Sequence, residues 1–339
     1  MPQDGQSQVP AKVTAASAAP APSATNGAVH QVAFLLVENF SFIAFASAIE
    51  PLRNANRASG NALYAWRCYS ADGRPIRASN GVEVTVNGAF DDLQAAGLVL
   101  VVAGLGVERL DDRLLLARLR RLASHGATVG GLCTAPHLLA RAGLLNGYRC
   151  TIHWENLAGF AEAFPEIDVT PELYEIDRNR LTCAGGTAAL DMMLTIIATQ
   201  CGHDLAAHVA DTMMHHRIRE GHEGQRMELR ARLGVSHPKL LAVIQHMEET
   251  LETPLSCAEL AATVGLSTRQ LERLFRKYLK RPPTRYYLAL RLDRARFLLA
   301  QTSMPILGVA LACGFVSASH FSKCYREHFG RTPSEERRV

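Results

Sequence analysis

The residues best placed to do chemistry lie in the run Gly131-Leu132-Cys133-Thr134-Ala135. An apolar stretch ends in a cysteine, small residues sit two positions to either side, and a helical pattern begins at once. This is the sequence form of a nucleophile elbow, a tight strand-to-helix turn that aims one side chain into the crevice at the carboxyl ends of parallel strands. The N-terminus of the helix that follows is expected to lower the thiol pKa. His153, twenty residues on, is the candidate base. The competing reading is a cysteine kept for its size and a pocket histidine with satisfied hydrogen bonds.

An elbow needs a parallel sheet behind it, and the pattern supplies one. Residues 31–37 (QVAFLLV), Tyr64–Ser70, Leu98–Ala103 and 127–132 read as strands. Residues 41–55, 109–124 and 134–142 read as helices between them. Strand candidates Tyr174–Asp177 and 181–183 follow, then a Gly185-Gly186 turn and a helix from 187 to about 200. Strands alternating with helices predict a mostly parallel sheet covered on both faces, an α/β sandwich of the flavodoxin-like kind.

The remaining third of the chain has a different character. Residues 225–339 hold 19 basic and 10 acidic residues, a net of +9, while residues 1–224 carry −5. Such a split suggests two modules with different partners, the basic one facing nucleic acid. This part reads as all-helical and contains a repeat, LAATVGLSTRQLERLF at 260–275 and VALACGFVSASHFSKCY at 309–325. Each copy is a helix, a turn with Gly265 or Gly314, and a second amphipathic helix, the helix-turn-helix pattern. Glycine suits a turn that needs φ > 0, and Ser267 and Ser317 stand where N-caps are wanted. Residues 284–301 join the copies as one helix of roughly 27 Å. That length can set two recognition helices into successive major grooves, ~34 Å apart.

Composition bounds the rest. A chain 48% hydrophobic and 20% charged can bury a core. No run of ~18 apolar residues suggests a membrane span. Residues 1–28 lack the basic and apolar regions of a secretory signal and read as a disordered tail. Eight scattered cysteines without a C-x-x-C pair suggest buried free thiols in a reduced, cytoplasmic protein. His203, His208, His215, His216 and His222 fit no zinc spacing, so no metal is expected. Residues 204–233 read as a polar linker, and an apolar stripe at 209–218 as a dimerisation face.

GLCTAPHLLARAGLLNGYRCTIHW and LTCAGGTAALDMML resemble the class I glutamine-amidotransferase-like (ThiJ/PfpI) superfamily. CGFVSASHFSKCYREHFGRTPSEER resembles the signature of the AraC/XylS family, over about residues 240–338. The two together resemble GlxA-type transcription regulators, among them regulators of arginine, glycine betaine or carnitine catabolism. The resemblance implies an amidotransferase-like sensing domain over 29–203 and a double helix-turn-helix domain over 234–339. Ala44 falls where many superfamily enzymes carry a carboxylate, so no catalytic residue and no cofactor is expected.

The resemblance implies a small cationic effector (arginine, betaine or carnitine-like) in a crevice lined by Cys133, Thr134, His153, Trp154 and Glu155. Trp154 could hold a quaternary ammonium by cation–π attraction, and Glu155 could pair with a guanidinium. The implied partner is double-stranded DNA, bound by a homodimer able to contact RNA polymerase and activate transcription. By match to the AraC/XylS family, the first recognition helix is Thr268–Leu279, with Thr268, Arg269, Gln270 and Arg273 as base-facing candidates. The second is Ala318–Phe329, with Ala318, Ser319, His320, Ser322 and Lys323 on the comparable face. Arg276, Lys277, Arg326 and Arg331 are assigned to phosphates. The rival reading is a cysteine-dependent amidohydrolase or glyoxalase-like enzyme fused to a DNA-binding tail.

Overall fold

The computed structural model describes residues 29–337 apart from Ala95 and Asp111, so the tail expected over 1–28 lies outside the described residues. The chain opens with β1 (His30–Leu36), α1 (Phe42–Ser59) and β2 (Tyr64–Ser70). Short strands β3 (Ile76–Arg77), β4 (Glu83–Val84) and β5 (Gly88–Ala89) lead to β6 (Leu98–Ala103), α2 (Arg113–Ser124), β7 (Thr128–Cys133) and α3 (Pro136–Arg141). Then come β8 (Arg149–Thr151), α4 (Leu157–Ala163), β9 (Asp168–Thr170), β10 (Tyr174–Asp177), β11 (Arg180–Cys183), α5 (Ala188–Cys201) and α6 (His203–Thr212).

The main sheet runs β10-β11-β7-β6-β1-β2-β5, parallel throughout except for β10 against β11. Strand side chains alternate between faces, and both faces of β1 are apolar. Val32, Phe34 and Leu36 join the core under α1, α5 and α6, while Ala33, Leu35 and Val37 join the core under α2 and α3. The doubly covered sheet expected from the run QVAFLLV is what forms.

Two boundaries moved for local reasons. The helix expected from residue 109 begins at Arg113, because Asp112 caps it, its carboxylate accepting from Leu115 N at 2.9 Å. The helix after the elbow begins at Pro136 and is six residues long, with residues 134–135 forming the turn itself.

Of the connector expected over 204–233, residues 204–225 pack on the front domain. Ala206 and Val209 on α6 are fully buried in the sheet's core, and Ile218 packs against it. Within the apolar stripe at 209–218, Val209 and Ala210 cover their own domain, while Met214 is exposed. Asp191, buried in α5, pairs with Arg219 at 2.6 Å and with His215 at 2.7 Å, pinning the segment that follows. Gln225 Nε2 then donates to Thr151 Oγ1 and to the carbonyls of Ile152 and Glu172 at 2.9–3.0 Å. Polar anchors thus join the apolar stripe in holding the segment down.

After α7 (Leu229–Leu233) come α8 (Pro238–Glu249), α9 (Cys257–Thr263), α10 (Thr268–Leu279), α11 (Pro283–Gln301), α12 (Ile306–Ala312), α13 (Ala318–Phe329) and α14 (Pro333–Glu336). Two small cores form, one per helix pair. Leu260, Leu271 and Phe275 fill the first, and Val309, Phe321 and Tyr325 the second. The long helix α11 serves both, Tyr286 and Tyr287 in one and Leu292, Ala295 and Leu298 in the other. Gly265 and Gly314 have φ of 63° and 72°, and a Cβ at Gly314 would come within 2.5 Å of Pro254. Among the described residues, no helix is long and apolar enough to cross a membrane.

Candidate functional site

Cys133 ends β7 with φ of 62°, the left-handed conformation that an elbow imposes on its central residue. The turn is tight enough that a Cβ on Gly131 would stand 2.9 Å from Pro136 N, and one on Gly185 would stand 2.7 Å from Cys133 Cβ. The elbow forms, and its thiol is buried. Burial pushes the Cys133 pKa up to about 11, outweighing hydrogen bonds from the Ser41 hydroxyl and the Thr134 N–H that favour the thiolate. The lowering expected from the helix N-terminus is overturned, because desolvation of the charged form dominates beside so short a helix. Ser41 was not singled out in the sequence. Its signal was its place as N-cap of α1, where it accepts from Ala44 N.

His153 meets the elbow through its backbone, its N–H donating to the Cys133 carbonyl at 3.2 Å. Its ring Nδ1 faces Glu155 Oε2 at 3.8 Å. Burial lowers its pKa, with Glu155 opposing. Among the described residues, no hydrogen bond joins the ring to the sulfur. Ala44 is fully buried and offers no acid. The Thr134 hydroxyl donates to the Gly104 carbonyl at 2.7 Å, which locks the elbow to the end of β6.

Trp154 packs on the helical domain. Its ring stands edge-to-face against Phe297 of α11 at 5.9 Å, and the Arg226 guanidinium lies 4.6 Å from its centroid. The ring expected to hold a cationic ligand thus already faces a cation from the chain. Arg226 in turn approaches Glu248 of α8 at 3.8 Å. Arg226 and Phe297 carry no sequence signal, since only the packing of the two domains brings them to Trp154.

On α10, Thr268, Arg269, Gln270, Arg273, Arg276 and Lys277 are all exposed, opposite the buried Leu271 and Phe275. Ser267 caps the helix, accepting from Gln270 N, and Gln270 Oε1 accepts from Ser267 N at 2.8 Å. The glutamine oxygen is engaged in this capping box, so a two-point contact with adenine requires the box to open. On α13, Ser319, His320, Lys323 and Arg326 are exposed, and Ala318 and Ser322 are half-buried. His320 leans on Phe315 at 5.8 Å and places Nε2 3.4 Å from Cys324 Sγ. Arg331 pairs its Nε with the buried Glu336 at 2.6 Å, with its side chain still 36% exposed. Arg291 of α11 donates to the carbonyls of Cys313 and Gly314 at 2.7 Å, fixing the second helix-turn-helix on the shared helix.

A doubly covered sheet with an elbow cysteine, followed by paired helix-turn-helix motifs on one long helix, defines a two-domain DNA-binding transcription regulator. The helix-turn-helix domain family model matches residues 260–338, and the DJ-1/PfpI family model matches residues 30–199. The HTH-type transcriptional regulator GbdR of Pseudomonas aeruginosa is 49% identical, over 90% of this chain and 83% of its own length. The HTH-type transcriptional regulator CdhR of the same organism is 47% identical, over 90% of this chain and 91% of its own length. The crystal structure of an AraC family transcriptional regulator from Pseudomonas putida is 30% identical with a TM-score of 0.50, covering 54% of this chain and 99% of that one. The chain belongs to the AraC-type helix-turn-helix transcriptional regulators that carry a DJ-1/PfpI-family domain.

Proposed function

We propose that this regulator is ligand-responsive, that a small, cationic, amino-acid-like metabolite is its effector, and that its front domain performs no catalysis. The observation that carries the reading is the Trp154–Phe297 contact. The segment leaving the elbow crevice touches the helix on which both helix-turn-helix units are built. A ligand that binds one arrangement of this contact better than another shifts the population of DNA-binding states. A buried, protonated Cys133 with no ring nitrogen bonded to it and Ala44 in the carboxylate position support the non-catalytic half of the proposal. Bound to DNA as a dimer, the effector-loaded form activates transcription, with α10 and α13 reading the site.

The test is a reporter assay with the full chain and its Cys133→Ala variant, run with arginine, glycine betaine and carnitine. The expected result is activation by at least one compound, retained in the variant. An unresponsive wild type sinks the sensing role. Cysteine-dependent turnover of any of the compounds sinks the non-catalytic one.

A further inference from the structure

The two helix-turn-helix units are mounted differently. In the first, a Cβ at Gly265 would meet nothing nearer than Lys239 Nζ at 3.8 Å, and that exposed lysine donates to the Gly265 carbonyl at 3.2 Å. In the second, a Cβ at Gly314 would come within 2.5 Å of Pro254 Cγ and 2.8 Å of the Leu251 carbonyl oxygen. Leu251 and Pro254 lie between α8 and α9, in the first unit. The second turn is therefore seated on the first unit. Glycine is needed there for the close approach as well as for its φ of 72°.

Arg291 holds that seat. Half-buried on α11, it donates Nε to the Cys313 carbonyl and an Nη to the Gly314 carbonyl, both at 2.7 Å. A planar guanidinium can grip two neighbouring acceptors at once, which a lysine ammonium does not reproduce. The same guanidinium lies 4.2 Å from the centroid of the Phe315 ring. Phe315 is buried, 5.1 Å from the Phe321 ring and edge-to-face with His320 at 5.8 Å. A continuous stack thus runs from α11 through the turn to the exposed face of α13.

Placement matters more on α13 than on α10. The first helix offers Arg269, Gln270 and Arg273, long side chains that can absorb a small displacement. The second offers Ala318, Ser319 and Ser322, short side chains that reach a base edge only when the helix sits at the right depth in the groove.

We propose that Arg291 is a positioning residue for DNA reading. By fixing the turn before α13 against the first unit, it sets the second recognition helix at one separation from the first. The proposal rests on the reading of DNA by α10 and α13 given above. It makes the spacing within the site depend on Arg291 and the Gly314 contact, and not on the length of α11 alone.

Duplexes selected from a randomised pool by the full-length protein, then sequenced, test this. The wild type is expected to enrich two blocks of base preference per subunit, and the block relaxed by Arg273→Ala is assigned to α10. One base pair inserted between the blocks is expected to weaken wild-type binding by about tenfold or more. Arg291→Met is expected to keep the α10 block and lose the other, to bind the two-block duplex about tenfold more weakly, and to respond less than twofold to the insertion. Arg291→Lys is expected to fall between the two. Hydrogen exchange separates positioning from folding, since the Phe321–Phe329 amides should keep their protection in Arg291→Met. Loss of that protection overturns the proposal in favour of a folding role. An Arg291→Met protein that enriches both blocks overturns it too, and leaves reading by both helices standing. Wild-type binding indifferent to the insertion overturns the fixed separation, and full rescue by lysine overturns the two-point grip. A wild-type pool with one block per subunit removes reading by α13 and the proposal with it.

Discussion

The Trp154 indole meets the Phe297 ring edge-to-face at 5.9 Å, with the Arg226 guanidinium 4.6 Å from the indole centroid. One residue past His153, the front domain thereby rests on the helix that organises the DNA-binding domain. Edge-to-face pairs contribute about 0.5–1.5 kcal/mol beyond the area they bury. A double-mutant cycle of Trp154→Ala and Phe297→Ala, followed by urea unfolding, is expected to give a coupling energy in that range. Additive effects of the two changes, within about 0.3 kcal/mol, would show that the rings do not interact in solution.

Cys133 should be chemically quiet. A pKa of about 11 leaves almost no thiolate at neutral pH, whereas the half-buried Cys201, Cys257 and Cys324 are more accessible. Peptide mapping after brief iodoacetamide treatment at pH 7.5 is expected to find Cys133 among the least labelled sites. Its labelling should rise only as the pH approaches 11 or the chain unfolds. Rapid, selective labelling of Cys133 at pH 7.5 contradicts the burial argument.

His137 gives stability a pH dependence of definite sign. Its folded-state pKa is depressed to about 4 from the ordinary 6.5. Above pH 6.5 neither state is protonated and the group contributes no slope. Between 6.5 and 4 the unfolded chain binds a proton that the folded chain refuses, so stability falls as the pH falls. Relative to His137→Gln, the wild type is expected to lose about 1–3 kcal/mol over that window. Parallel stability curves for the two proteins would show that the ring titrates normally.

Asp191 anchors the segment that leaves the front domain. It is fully buried and holds Arg219 and His215 at 2.6 and 2.7 Å. Asp191→Ala removes the buried partner of a guanidinium that is itself 27% exposed and still bonded to Thr187, so the expected cost is about 1.5–3 kcal/mol, that of charged hydrogen bonds, and below that of a fully buried pair. Chemical denaturation should show a loss of this size, with faster proteolysis between residues 213 and 225. A loss below about 1 kcal/mol would mean the segment is held mainly by its apolar contacts.

Two exposed residues of α10 should separate specificity from affinity. Arg273→Ala is expected to weaken binding to the preferred site by about 1–3 kcal/mol and to relax base preference at one position. Lys277→Ala is expected to weaken binding uniformly and to reduce the salt dependence by about one ion. Fluorescence anisotropy against a specific and a scrambled duplex, at two salt concentrations, measures both. Identical behaviour of the two variants would remove Arg273 from the reading face.

What the sequence determined by itself is local. The run QVAFLLV reads as a buried strand, Tyr64–Ser70 and Leu98–Ala103 form with the bounds their patterns indicate, and Thr268–Leu279 and Ala318–Phe329 form with the bounds the family resemblance implied. Ser267 and Ser317 cap where a serine precedes an amphipathic run, because capping involves only residues three apart. The elbow followed from small residues around Cys133, since its sterics act over a single turn. What the tertiary structure alone decided is everything set by residues far apart in the chain. The thiol is raised rather than lowered because the surrounding core excludes water, which no spacing reveals. Residues 204–225 belong to the front domain because Asp191 and Gln225 find partners across it. Trp154 faces Arg226 and Phe297 because two domains that each fold on local rules then pack against one another. Periodicity reports which side of an element is buried, and only packing reports what it is buried against.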